Sequence, residues 1–219
     1  MLKLYHCMGS RSFRALWTLE EAGLPYELVM MPFPPRARYS GYHGINPLGT
    51  VPTFFDGDEI MTESAAICQY IAARYAPELL SVSIDKPGHA TYLNFMHMGE
   101  ATLTFPQTIF FRYSVLEPPE RRQPVVANDY RKWFASRLKN AATLFQGQPY
   151  VCGERFTAAD ISFGYALGFA THLQLAEHFP PAIEEYWKRL KTRDGFRRAR
   201  EKEIQVSIDQ GIEIAEVNY

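Results

Sequence analysis

Two periodicities follow one another in this 219-residue chain, and the change between them near Pro77 limits what it can fold into. Before Pro77, short alternating segments are interleaved with helical ones. Leu2-Lys3-Leu4-Tyr5 alternates as a short strand. Ala15, Leu16, Leu19 and Ala22 share one face of a helix over 12–22, which Gly23 stops and Pro25 follows. Tyr26–Met30 reads as a second strand, so the chain opens as a parallel βαβ unit. Residues 31–50 are irregular and rich in Pro, Gly, Tyr and Arg, with room only for short helix. Thr53-Phe54-Phe55 and Glu59-Ile60-Met61 flank Asp56-Gly57-Asp58, a hairpin signal. A helix over 64–75 follows, with Ala65, Ile67, Cys68, Ile71 and Ala72 on its apolar face.

Beyond Pro77 no strand pattern recurs. Residues 80–88 contain Pro87-Gly88 and read as a linker. The spacing then predicts helices over 89–115 (kinked at Pro106), 121–146, 158–176 and 182–192, with a less regular piece over 195–203. The strand and helix order of the first part is of thioredoxin type. The expectation is an α/β thioredoxin-like N-terminal domain over 1–79, a linker over 80–88, and an all-α C-terminal domain over 89–219.

Charge and cysteine content exclude several classes. Twenty-three Lys and Arg face twenty-four Asp and Glu, leaving no surplus for a phosphate backbone, so no nucleic-acid partner is expected. No apolar run approaches the roughly 20 residues that cross a bilayer, so no membrane association is expected. The opening MLKLYHCMG is too short for a signal peptide, and the expected location is the cytoplasm. Cys7, Cys68 and Cys152 lack CxxC spacing and the histidines show no HExxH pattern, so neither a disulfide framework nor a metal site is expected. Aromatic residues reach 14%, which reads first as a core of large side chains and second as an aromatic ligand pocket.

Four local motifs carry more. Asn46-Pro47-Leu48-Gly49-Thr50-Val51-Pro52 precedes the hairpin, and a proline opening a strand has no N–H to give. Thr62-Glu63-Ser64-Ala65-Ala66-Ile67 opens the next helix, where unpaired N–H groups suit a carboxylate. Ser64 has a hydroxyl to donate to such a group, and Glu63 accepts from an ammonium. Phe156-Thr157-Ala158-Ala159-Asp160-Ile161 holds a capping box, Thr157 with Asp160, inside a hydrophobic staple, and is structural. The stretch from Ser10-Arg11-Ser12-Phe13-Arg14 to Gly23-Leu24-Pro25 forms the fourth.

Together, in this order, these motifs resemble the cytosolic glutathione transferases of bacterial type, and the resemblance covers essentially the whole chain. It implies a cis peptide at Val51-Pro52, with the Val51 backbone pairing with the cysteinyl part of glutathione. It implies that Glu63 and Ser64 hold the γ-glutamyl ammonium and carboxylate, and that a cation or polar group before the Asn-Pro motif meets the glycine carboxylate, with Arg36, Arg38, Tyr39 and His43 in range and Arg38 the choice among them. The family activates the glutathione thiol with a Tyr, Ser or Cys just after the first strand. Here the candidates are Ser10, from a Ser-Arg-Ser-x-Arg match, then Cys7, from a Ser-x-Pro-Cys-Arg match, then Tyr5 at the strand end. Ser10 and Ser12 are both also credible helix N-caps. The family lines its second-substrate pocket with the first long helix of the second part, which here carries His97, Met98, Thr102, Phe105 and Phe111.

The function implied is transfer of glutathione, a consumed cosubstrate, to a small apolar electrophile by a homodimer without metal. Two alternatives stand beside it. One is another glutathione-dependent reaction: isomerisation, dehalogenation, ether cleavage or thiol–disulfide reduction. The other is a transferase-like binding or regulatory protein without turnover.

Overall fold

The computed structural model describes residues 1–145 and 147–219, so Gln146, the last residue of the helix expected over 121–146, lies outside the described residues. The chain divides into two compact units. Met1–Ser83 and Lys191–Val217 form the first, Ile84–Leu190 with Asn218 and Tyr219 the second.

In the first unit, β1 (Leu2–His6), α1 (Phe13–Ala22) and β2 (Tyr26–Met30) form the expected parallel crossover. Short helices α2 (Pro35–Arg38) and α3 (Tyr42–Ile45) fill the irregular stretch. Next come β3 (Thr53–Asp56), β4 (Glu59–Met61) and α4 (Ser64–Tyr75), with a one-turn α5 (Pro77–Leu80) after it. The sheet order is β2-β1-β3-β4, with β3 antiparallel to both neighbours. Alternation along β1 sends Leu2, Leu4 and His6 inward. The apolar face of α4 is the one the sequence implies: Ala65, Ile67, Cys68, Ile71 and Ala72 are all buried.

Residues 191–217 were expected within the all-helical part over 89–219 and instead pack with the first unit. The reason lies in α1. Every residue from Phe13 to Leu19 is buried, so one apolar stripe against the sheet does not account for it. The other side is covered by the last helix, Asp194–Asp209, longer than the piece expected over 195–203. Phe196 stands edge-on to Phe13 and Trp17, with centroids 5.6 and 4.9 Å away. Arg193 grips the Glu21 carboxylate with two hydrogen bonds of 2.8 Å each.

The second unit is all helix. The expected helix over 89–115 is present but not uniform. It runs as α6 (His89–His97), a wider π-helical stretch over Met98–Thr104, α7 (Phe105–Phe111) and a second π-helical stretch to Leu116. Pro106 sits where the π-helical stretch passes into α7. Then follow α8 (Pro124–Ala142), α9 (Ala158–His172) and α10 (Pro181–Lys191). Helix α9 stops four residues earlier than its periodicity suggests. Gln174 takes a left-handed φ of 61°, and the Leu175 N–H folds back to the Ala170 carbonyl at 2.8 Å. The last helix, named above, is α11. Much of the aromatic content goes into the core: Phe95, Phe145, Phe163 and Tyr186 form one cluster with neighbouring centroids 5.1–6.0 Å apart.

Among the described residues no helix is long and apolar enough to cross a membrane.

Candidate functional site

The loop after β1 carries the three candidate activators, and the fold separates their roles. Cys7 is fully buried, packed with Met31 and Tyr42, with Tyr5 and Val51 against the same cluster. Its thiol has only a weak contact, 3.8 Å, to the Pro32 carbonyl. Burial pushes that thiol up to about 12, so at neutral pH it stays protonated and a poor nucleophile. Tyr5 is half-buried, with Tyr42 and Phe55 flanking its ring at centroid distances of 6.2 and 6.0 Å.

Ser10 is also half-buried, and it is held by polar contacts. Its Oγ lies 2.8 Å from the Cys7 carbonyl and 2.6 Å from Ser12 Oγ. Ser12 occupies the position before α1, yet its hydroxyl makes no capping bond. It turns inward to His6 Nδ1 at 2.6 Å and accepts from the Cys7 N–H at 3.3 Å. The other ring nitrogen of His6, Nε2, is 2.8 Å from Glu203 Oε2 on α11, and Arg200 pairs with the remaining oxygen. His6, Ser12 and Glu203 are all fully buried. The sequence singles out neither His6 nor Glu203. The available signal was the strand alternation, which puts an ionisable His6 at an inward position after Leu2 and Leu4.

Gly9 gives this loop its turn, with φ of 71°. A Cβ there would also stand 2.8 Å from the Val217 side chain, so the C-terminal segment closes over the loop.

The second wall is the turn before β3. The Val51-Pro52 peptide is cis, as is Phe33-Pro34, which the sequence did not suggest. Two side chains hold the turn by one atom, the Thr50 carbonyl. It accepts from Asn46 Nδ2 at 2.7 Å and from Tyr42 OH at 2.8 Å. Asn46 Oδ1 also accepts from the Leu48 N–H at 2.9 Å, so its amide is used at both ends. Gly49, at φ of 63°, leaves room for the His43 and Arg36 side chains. Beyond this clamp the Val51 N–H and C=O have no hydrogen-bond partner among the described residues.

The third wall is the start of α4. Glu63 is exposed, and its side chain makes no hydrogen bond among the described residues. Ser64 is buried and accepts from the buried Arg14 guanidinium at 3.2 Å, which leaves its own proton free to donate. Arg38 lies on exposed α2 and is already occupied. It is 3.6 Å from the Glu213 carboxylate and 3.5 Å from the Phe33 carbonyl, so a ligand carboxylate there would compete with Glu213.

In the second unit the Thr157–Asp160 capping box forms, and Asp160 does more than cap. It accepts from the Val151 and Thr157 N–H groups at 2.9 and 2.8 Å, and from the Tyr186 and Thr157 hydroxyls at 2.9 and 3.1 Å. Of the five residues expected along the pocket-lining helix, His97 and Phe105 are exposed and Met98, Thr102 and Phe111 half-buried. Among the described residues no group of three His, Cys, Asp or Glu side chains is placed to hold a metal ion.

Residues 1–73 match the model of the glutathione S-transferase N-terminal domain. Glutathione S-transferase 3 of Schizosaccharomyces pombe is 28% identical over 92% of this chain and 88% of its own. Glutathione S-transferase GstA of Escherichia coli O157:H7 is 27% identical over 88% of this chain and 96% of its own. Among solved structures, the theta class glutathione S-transferase from Xanthomonas axonopodis pv. citri, with glutathione bound, shares 27% identity and a TM-score of 0.76, covering 90% of this chain and 96% of that one. Residues 1–73 thus carry a glutathione S-transferase N-terminal domain, and the similarity to glutathione S-transferases runs on through the all-helical second unit.

Proposed function

We propose that this protein is a glutathione transferase, in which bound glutathione is held as its thiolate and attacks an electrophilic carbon of a small apolar molecule. The observation that carries this reading is the Val51 backbone. An N–H and a C=O, left unpaired by a turn that two side chains clamp, offer a peptide ligand one antiparallel pair of hydrogen bonds. Glu63 and Ser64 then supply an acceptor for an ammonium and a donor for a carboxylate at adjacent positions, as a γ-glutamyl group needs. The half-buried Ser10 hydroxyl supplies a donor for the sulfur. Thiol–disulfide reduction is not favoured, because the one cysteine in the loop is buried and protonated. A binding protein without turnover is not favoured either, since it has no need of a hydroxyl held at the sulfur position.

Glu63→Ala and Ser64→Ala should each weaken glutathione binding by about 1.5–3 kcal/mol, the scale of a charged hydrogen bond, or roughly ten- to hundredfold. Calorimetric titration reads this, and unchanged affinity in both variants sinks the assignment. The electrophile meets the exposed and half-buried side chains of the second unit's first helices, Phe105 and Phe111 among them. The working form is a homodimer in the cytoplasm. Sedimentation should give about twice the 25.1 kDa chain mass, and a monomer at micromolar concentration contradicts it.

A further inference from the structure

Helix α1 buries a full positive charge. Arg14, in its first turn, has no solvent exposure, in a run from Phe13 to Leu19 that is otherwise apolar apart from Thr18. Burying a cation is costly at a position where a Met of similar length would pack freely.

The charge lies against the start of α4. Arg14 and Thr18 are four apart on one face of α1, and that face meets Ser64 and Cys68, four apart on α4. Arg14 Nη1 donates to Ser64 Oγ at 3.2 Å. Burial pushes the Cys68 thiol up to about 11, and the Thr18 hydroxyl and the Arg14 charge pull against it. All four side chains are buried.

An arginine only donates. Ser64 Oγ is therefore the acceptor, and its single proton is directed away from the guanidinium. Among the described residues no group accepts that proton. Helix α4 adds donors at the same end. Its first backbone bond runs from the Ile67 N–H to the Glu63 carbonyl at 2.9 Å, so the N–H groups of Ser64, Ala65 and Ala66 have no partner within the helix. A carboxylate that receives the Ser64 proton stands one hydroxyl away from a full charge, where little water screens it.

We propose that Arg14 is a positioning residue for the γ-glutamyl carboxylate of glutathione. It fixes the Ser64 hydroxyl as a donor and places a buried positive charge behind it. The proposal rests on the glutathione reading of the site. Arg14 touches Ser64, not the ligand, and acts through it. Glu63 serves the ammonium. A ligand with the carboxylate and no ammonium therefore still needs Arg14, and a ligand with the ammonium and no carboxylate does not.

Three ligands read that division by calorimetric titration. Glutathione has both charges. Glutaryl-cysteinylglycine keeps the carboxylate and lacks the ammonium. The γ-aminobutyryl-cysteinylglycine analogue keeps the ammonium and lacks the carboxylate. Arg14→Met should weaken glutathione and the glutaryl analogue by about tenfold. It should leave the γ-aminobutyryl analogue within about twofold of wild type. Arg14→Met combined with Ser64→Ala should lose well short of the product of the two single losses, because one change acts through the other. In turnover, Arg14→Met should raise KM for glutathione by about tenfold and leave kcat within about twofold, since the lost interaction is the same before and in the transition state.

An equal loss for all three ligands is the mark of a merely structural role and overturns the proposal. Single losses that multiply in the double variant overturn it too. If Arg14→Met does not fold, Arg14→Lys keeps a buried cation without the planar fork. It should weaken the two carboxylate ligands by at least about threefold and spare the third, and an equal effect on all three, or none, overturns the proposal. A wild type that binds glutathione no tighter than the γ-aminobutyryl analogue removes the carboxylate subsite and the role of Arg14 with it. A wild type that binds none of the three overturns the glutathione reading itself.

Discussion

Among the described residues each unit buries one carboxylate completely, and the two have opposite surroundings. Asp160 in the second unit is surrounded by four donors, two backbone N–H groups and two hydroxyls, and every one comes from within that unit. Nothing leads away from it. Glu203 in the first unit holds a cation with one oxygen and an imidazole with the other. From the imidazole a row of hydroxyls runs to a half-buried serine. A buried acid costs several kcal/mol unless it is paired. The difference teaches where that cost is recovered. A closed set of donors fixes a fold, whereas a row with one end near solvent leaves that end open. Burial alone does not separate the two; following each hydrogen bond to its end does.

The largest expected effect tests the closed member. Asp160→Ala leaves two backbone N–H groups and the Tyr186 hydroxyl buried without partners. It should cost about 3–5 kcal/mol of stability, read by denaturant unfolding. A loss near zero would show that the network relaxes and would remove the contrast with Glu203. The same residue has a pH signature. Burial raises its carboxyl to about 6 from an ordinary 3.8, against the pull of its four donors. The folded state therefore binds more protons than the unfolded one between those values. Its contribution is greatest below pH 3.8 and is lost as pH rises through 6, a fall of about 3 kcal/mol in all. Asp160→Asn should flatten that part of the stability profile. An unchanged profile contradicts the raised value.

The open member is tested at its outer end. Ser10→Ala removes the outermost hydroxyl of the row, the one proposed to meet the glutathione sulfur. A hydrogen bond to a charged acceptor contributes about 1.5–3 kcal/mol, so bound glutathione should titrate roughly one to two pH units higher in the variant. Ultraviolet titration of the bound thiolate reads the change. Stability should barely move, because Ser10 is only half-buried and its neighbours keep other partners. If Ser10→Ala instead destabilises the protein as Asp160→Ala does and leaves the titration in place, both carboxylates are structural and the distinction fails.

How much of this contrast was legible in the sequence depends on distance along the chain. Strand alternation over residues 2–5, the Gly23 and Pro25 stop, and the Asp56-Gly57-Asp58 turn are local, and the fold shows each of them. The Thr157–Asp160 box is also local, three residues apart, and was read as structural from its spacing alone. The Tyr186 hydroxyl that completes it comes from another helix and was not foreseen. The His6–Glu203 pair is 197 residues apart and has no spacing to recognise. The clamp on Thr50 lies between. Asn46 was quoted as part of a motif, but the motif does not say that its amide holds one carbonyl, or that Tyr42 holds the same one. Helix α11 was the hardest element to read. Its sequence is strongly charged, and its partner, the second face of α1, becomes visible only when seven consecutive residues of α1 are found buried.

The smallest expected effect separates the two neighbours in the loop. Cys7 and Ser10 are three residues apart, and the Ser10 hydroxyl donates to the Cys7 carbonyl, so a change at either is felt by the other's backbone. Their side chains point to different surroundings. The Cys7 sulfur enters an apolar cluster with Met31 and Tyr42, and burial holds it near 12, while Ser10 ends the polar row. Cys7→Ala removes one buried sulfur and a weak contact to Pro32, so it should cost about 1 kcal/mol or less, near the value of one buried methylene. It keeps the carbonyl that orients Ser10. Bound glutathione should therefore titrate as in the wild type, and turnover should stay within about twofold, less than 0.5 kcal/mol on the barrier. The wild-type thiol should also resist alkylation at neutral pH until the protein unfolds, since the thiolate is the reactive form. A mixed disulfide between Cys7 and glutathione in the folded protein, or a shifted thiolate titration in Cys7→Ala, would move the chemistry from the polar row to the apolar cluster and leave Glu203 as a second structural acid beside Asp160.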